Sequence, residues 1–259
     1  MAMDVGNTNI KIGLFYTDGS LHQVARLATD LIKTSDEYGL QIIGIFQYAG
    51  LQLQQVEGII MSSVVPSINY TLEHMCQTFF HMTPLILGHG VKTGLVLKYD
   101  NPKELGSDRI ASAVAALAKY GGPIITIDFG TATTFNCVNA QGEFLGGAIM
   151  PGIRTSLSAL VTQTSRLPNI ELQVPSRVIG RNTVENMQAG LLYGYVGAVE
   201  RIIAKIREEL GDTPKVVATG GMSRMIAKES SAIDILDSRL TLEGLFRIYR
   251  RNAAKGESA

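Results

Sequence analysis

Cysteine is scarce in this chain of 259 residues: Cys76 and Cys137 are the only two, and neither sits at a metal-ligand or redox spacing. A disulfide framework and a cysteine-built metal cage are thereby excluded. An excess of one charge is also missing. The 23 basic and 23 acidic residues give a formal net charge of zero, so no broad field attracts nucleic acid or an anionic membrane. No run approaches the roughly 18 consecutive apolar residues of a membrane-spanning helix. The opening MAMDVGNTNIKIG enters a polar loop without an apolar signal core, so the expectation is a cytoplasmic protein with neither a nucleic-acid nor a membrane partner. His22, His74, His81 and His89 form no metal or triad pattern. The G-x-S-x-G elbow, the Gly-Lys-Ser/Thr ending of a Walker loop and the G-x-G-x-x-G fingerprint are absent too.

What remains is an ordinary globular composition, 46% hydrophobic and 18% charged, arranged as strands alternating with helices. That alternation predicts an α/β fold. A strand turns at Gly6 and returns through Ile10–Phe15, residues 58–66 read as a buried strand stopped by Pro66, and Ser67–Phe80 as a helix. Ser107–Tyr120 reads as a helix with Ile110, Val114 and Leu117 on one face and Gly121 after its last turn. The longest helix begins after Asn182, with Glu185 three residues on, and runs to Gly211. Its apolar positions are Val184, Met187, Leu191, Tyr195, Val199, Ile202, Ile206 and Leu210. Gly190, Gly194 and Gly197 give it a flat face that fits a dimer seam or a contact with a sheet equally well.

One pattern occurs twice. Asp4-Val5-Gly6-Asn7-Thr8-Asn9-Ile10-Lys11 and Asp128-Phe129-Gly130-Thr131-Ala132-Thr133-Thr134 each place an Asp at a strand end and a Gly two residues later, followed by small polar side chains. Such a loop lets backbone N–H groups converge on phosphate, the glycine removing the Cβ that would stand in the way. Asn7, Thr8 and Asn9 add side-chain donors, and the three threonines of the second copy suit a polyphosphate or a cation shell. Asp4 would repel phosphate and is better suited to Mg²⁺ held through water. Alone, the first copy could equally be a polar hairpin turn; its repetition favours a duplicated fold, with one phosphate loop in residues 1–117 and one in 118–259.

Between the copies lies Tyr99-Asp100-Asn101-Pro102-Lys103-Glu104-Leu105-Gly106-Ser107-Asp108-Arg109. Asp108 in a first helical turn suits the dipole, whereas Arg109 opposes it. An acid–base pair at an exposed helix start therefore reads either as surface decoration or as ligand chemistry, with Arg109 holding an anion and Asp108 accepting a hydroxyl proton.

Four segments together resemble the type III pantothenate kinases: DVGNTNIKIGLF, YDNPKELGSDR, DFGTATTFN followed by GEFLGGAIMPGI, and GRNTVENMQAG. The resemblance spans at least residues 4–221. It implies a duplicated ribonuclease-H-like, actin-like ATPase fold with the active site in the cleft between two similar halves. It also implies a homodimer and transfer of the γ-phosphoryl of ATP to the primary hydroxyl of pantothenate, the first step towards coenzyme A. By the same resemblance Asp4–Lys11 and Thr131 contact ATP, and Asp128 holds an activating monovalent cation, K⁺ or NH₄⁺. Tyr99, Gly106, Ser107, Asp108, Arg109 and Thr183 line the pantothenate site, Asp108 being the base. The family often has Ala where this chain has Ser107, a residue able to cap the helix, and Asp where it has Asn136, one carboxylate fewer near the second loop. A sugar kinase of the same superfamily and a regulatory protein that kept the fold are the alternatives; intact Asp4, Asp108 and Asp128 disfavour the second.

Overall fold

A computed structural model describes residues 1–253. The chain divides into two compact units. One comprises Met1–Gly94, Asp100–Ala115 and the chain from Leu240 onward; the other comprises Leu95–Tyr99 and Ala116–Arg239.

The first unit is built on five strands: β1 (Ala2–Val5), β2 (Asn9–Phe15), β3 (Leu21–Ala28), β4 (Ile60–Ser63) and β5 (Leu85–Ile86). Their order in the sheet is β3-β2-β1-β4-β5, with β1 antiparallel to β2 and parallel to β4. Alternate side chains of the central strands, Met3, Val5, Ile10, Ile12 and Leu14, enter one core. Helices α1 (Ser35–Tyr48) and α2 (Asn69–Phe80) close it with Tyr38, Ile42, Phe46, Leu72, Met75 and Phe80. Helix α3 (Ser107–Tyr120) follows at the expected bounds.

The second unit repeats this plan. Strands β7 (Ile124–Phe129), β8 (Ala132–Val138), β9 (Glu143–Pro151), β10 (Lys215–Thr219) and β11 (Ile235–Leu236) lie in the order β11-β10-β7-β8-β9, and the short β6 (Val96–Leu97) extends the β9 edge. Again the first hairpin is antiparallel and the central strand has a parallel neighbour, β7 with β10. Helices α4 (Ile153–Thr162), α5 (Thr183–Leu210) and α6 (Ser223–Glu229) complete this unit, and Leu192, Tyr195, Val196, Val199 and Ile203 of α5 fill its core. The duplicated ribonuclease-H-like architecture is therefore visible in the strand order itself.

Three details depart from the sequence reading. The fully buried seam of α5 passes through Leu192 and Ile203; Ile202 and Ile206 pack half-buried against the same core, Leu191 is half-buried and Val184 is exposed. The glycines Gly190, Gly194 and Gly197 are exposed, and a Cβ at any of them would meet nothing within 4 Å; the sheet-packing alternative for that face falls. Finally, helix α7 (Leu240–Ala253) belongs with the first sheet rather than the second half of the chain. Its Leu240, Leu242, Leu245 and Ile248 are buried, and Gly244 lies so close to α3 that a Cβ would stand 1.8 Å from the Ala111 carbonyl. Among the described residues no helix is long and apolar enough to cross a membrane.

Candidate active site

The first phosphate loop is the β1–β2 turn. Gly6 N–H donates to the Asn9 carbonyl at 3.0 Å, and a Cβ on Gly6 would crowd that oxygen at 3.2 Å. Thr29, at the end of β3, fastens the rest: its hydroxyl donates to the Gly6 carbonyl at 2.6 Å and its N–H to the Thr8 carbonyl at 3.0 Å. The carbonyls of Gly6, Thr8 and Asn9 are thus engaged within the protein, which lowers the repulsion an incoming anion would meet. Asn7, Thr8 and Asn9 are exposed. Val5 and Ile10, by contrast, bury their side chains in the core, so only their backbone can face a ligand. Thr29 had no signal in the sequence, because its role depends on strand pairing across 23 residues.

Asp4 is 7% exposed, and its carboxylate lies 3.5 Å from Lys11 Nζ. The two are cross-strand partners, and Asp4 is also the register partner of Ser62 on β4. Lys11, Asp4 and Ser62 form one row across the sheet, because register partners project to the same face.

The second loop is gripped between two glycines. A Cβ on Gly152 would stand 2.3 Å from the Gly130 carbonyl, and one on Gly220 would stand 2.4 Å from Asp128 Oδ1. Gly220 has φ +93°, open to glycine and strained for other residues. The Thr131 carbonyl accepts from Gly152 N–H at 3.0 Å and from the Thr155 hydroxyl at 2.6 Å, while Thr131 itself is exposed. Thr133 is not part of a phosphate or cation shell: it is fully buried, and its hydroxyl pairs with Tyr195 of α5. Burial is the largest influence on the Tyr195 hydroxyl and raises its pKa, against hydrogen bonds from Thr133 and Ile153 N–H that lower it. Asn136 is buried beside its strand partner Thr126, donating to that hydroxyl at 3.0 Å. It is a paired core amide of the sheet, two positions away from the register partner of Asp128.

Asp128 occupies the place in its sheet that Asp4 has in the other. Its register partners are Thr134 and Thr219, where Asp4 has Lys11 and Ser62. The lysine of the first row is thus a threonine in the second. Among the described residues no cluster of three or more His, Cys, Asp or Glu forms a metal cage. A cation beside Asp128 would complete its shell from neutral oxygens, a donor set that suits a hard ion. Beside the loop in the same unit lies a cavity of about 500 Å³, walled by Leu157, Met222 and Met225 and edged by Arg154, Asn169 and Glu171. The Thr219-Gly220-Gly221 turn that borders it is visible in the sequence as a glycine pair at a strand end.

The turn before α3 differs from expectation in two ways. Arg109 is buried, 7% exposed, rather than displayed at an open helix start. A buried guanidinium is tolerated only with partners, which makes it a fixed element of the site's charge. Ser107 does not cap the helix; it is the first residue inside it, and the Gly106 carbonyl accepts the first helical bonds, from Arg109 and Ile110. The Ser107 hydroxyl instead meets Ser62 Oγ at 2.8 Å. Asp108 is half-buried, and its Oδ1 lies 2.5 Å from where a Gly106 Cβ would be. Asp4, Lys11 and Gly106–Arg109 therefore belong to one unit and are joined through Ser62. Tyr99 is in the other unit, packed on Phe144 with its ring edge 3.7 Å from the position of a Gly146 Cβ. Asp128, Thr131 and Thr183, the exposed first residue of α5, lie in that unit as well.

The profile of the type III pantothenate kinase family matches residues 1–205. Among solved structures, the chain is similar to a Campylobacter jejuni protein provisionally described as a Baf family transcriptional activator, at TM-score 0.60 and 19% identity, covering 98% of each chain. It is similar to the activator of 2-hydroxyisocaproyl-CoA dehydratase from Clostridium difficile, solved with ADPNP, at TM-score 0.57 and 12% identity over 99% of this chain and 97% of that one. An inorganic polyphosphate/ATP-glucomannokinase from Arthrobacter follows at TM-score 0.51 and 12% identity, over 98% and 97%. At these identities the likeness speaks for the fold alone, that of actin-like ATPases and sugar kinases.

Proposed function

The chain belongs to the type III pantothenate kinase family, and from that membership we propose that this kinase phosphorylates pantothenate, with ATP as donor, to 4′-phosphopantothenate. The observation that carries the reading is the joining of the Asp4 loop to the Gly106–Arg109 turn within one unit, since phosphoryl transfer depends mainly on positioning and charge neutralisation.

In this reading Asn7, Thr8, Asn9 and Lys11 hold the nucleotide's phosphates, and Thr131 contacts it from the second loop. The cavity beside Met222 and Met225 suits a flat heteroaromatic base, because thioethers pack well on aromatic rings. Asp108 accepts the proton of the pantothenate hydroxyl as that oxygen bonds to the γ-phosphorus, and ADP departs with the electron pair of the broken P–O bond. Arg109 offsets the substrate carboxylate, and Tyr99 and Thr183 are the further pantothenate contacts that the family resemblance implies. Mg²⁺ arriving with ATP would be held by Asp4 through water and would neutralise charge on the phosphates. At Asp128 a K⁺ or NH₄⁺ ion would take the place that the Lys11 ammonium has beside Asp4. Homodimerisation through the face of α5 bearing Gly190, Gly194 and Gly197, and a cytoplasmic location, complete the proposal.

The test is coupled detection of ADP with pantothenate, first in potassium and then in sodium buffer. ADP release that requires pantothenate and Mg²⁺, and that falls at least tenfold in sodium, is the expected result. Turnover with a hexose but none with pantothenate would overturn the assignment.

A further inference from the structure

The row that crosses the first sheet does not stop at Asp4. Ser62 is the register partner of Asp4 and is fully buried. Its Oγ lies 2.8 Å from Ser107 Oγ, and Ser107 Oγ lies 3.4 Å from the Ser63 carbonyl. A hydroxyl carries one proton. With that of Ser107 donated to the Ser63 carbonyl, Ser62 is the donor to Ser107. The next residue is Asp108, folded over Gly106.

We propose that Ser62 and Ser107 are a positioning pair that sets the Asp108 carboxylate relative to the Asp4 phosphate loop. The proposal rests on Asp108 being the base in the reaction above. A helix packed on a sheet by apolar contacts alone can slide and rotate slightly, because such contacts are non-directional. A hydroxyl pair inside the contact is directional: it fixes the first turn of α3 both along its axis and in rotation. This matters for the residue that follows, since a misplacement of about 1 Å in a reacting group can cost on the order of a hundredfold in rate. In this role the two hydroxyls, bonded to each other inside the protein, act through Asp108.

The experiment measures kcat, both KM values and Tm for Ser62→Ala, Ser107→Ala, the double alanine variant and Ser107→Thr. Ser107→Ala leaves the buried Ser62 hydroxyl without its acceptor and lowers Tm, whereas Ser62→Ala, which leaves Ser107 bonded to the Ser63 carbonyl, lowers it less. The double variant removes both hydroxyls, so its Tm recovers, because no unmet partner remains in the pair. A positioning role requires that kcat stay down by roughly tenfold in the double variant despite that recovery, with KM for ATP within about twofold. Ser107→Thr, which keeps the hydroxyl, returns kcat towards the parent. Recovery of kcat together with Tm in the double variant, or an unchanged kcat in Ser107→Ala, overturns the pair as a positioning device. Should Ser62→Ala alone fail to fold, the double variant decides. Asp108→Asn is run alongside: full activity there removes the base and with it the proposal, whereas its loss beside unchanged serine variants removes the pair alone.

Discussion

Gly106 is small because Asp108 needs its space. The Asp108 carboxylate occupies the volume where a Cβ at 106 would be, 2.5 Å from Oδ1, while the Gly106 backbone is not in the left-handed region. Alanine therefore fits the chain but not the neighbouring carboxylate. Gly106→Ala is expected to lower kcat at least tenfold and Tm by only a few degrees, as read by steady-state kinetics and a melting curve. Equal losses in a variant placed far from Asp108 would refute the steric argument. The same scale shows what the sequence concealed. Arg109 looked exposed because arginine usually is; its burial depends on partners that no spacing reveals. Thr133 was legible but unread. It shares a strand face with Phe135, and strand alternation alone sends both into the core.

Elements with their own end signals were the readable ones. Asn182 begins α5: its side chain accepts from Glu185 N–H at 2.9 Å, while Glu185 reaches back to Arg181 N–H at 2.9 Å. Gly211 ends the helix with φ 63°. Helix α3 was likewise bounded by Gly106 and Gly121. Strands β3 and β9 announced themselves poorly, since most of their side chains are half-buried or exposed and carry little apolar alternation. Helix α7 was hidden by its own outer face, where the charges of the exposed Arg247, Arg250 and Arg251 mask the buried Leu242, Leu245 and Ile248. Removing a cap tests the element directly. Asn182→Ala should destabilise the protein by about 1 kcal/mol, measured by urea denaturation. The same substitution at Arg201, exposed inside the same helix, should change stability by less than about 0.5 kcal/mol.

Over the whole molecule the chain passes between its units four times, after Gly94, Tyr99, Ala115 and Arg239. Near the last two of these in sequence, inside the second unit, one buried carboxylate gathers donors. Asp237 accepts from Lys119 Nζ at 2.5 Å, from the Tyr120 hydroxyl at 2.8 Å and from Arg239 N–H at 3.0 Å. Burial is the largest single influence on its pKa and raises it, but these donors together outweigh it and hold the carboxyl below its usual value of 3.8. A carboxyl with a lowered folded-state pKa binds protons more weakly folded than unfolded. Its stabilisation is therefore complete above pH of about 4 and disappears as pH falls through the folded-state value. Asp18, Glu37, Glu143, Glu185 and Glu208 are lowered as well, so the acid side of the stability profile should fall in one broad step. Asp237→Asn should start with a lower Tm at pH 7, because Lys119 loses its partner, and should then lose less than the parent between pH 5 and pH 3. The two melting profiles should converge at the acid end. Parallel profiles across that range would show that Asp237 contributes packing rather than charge.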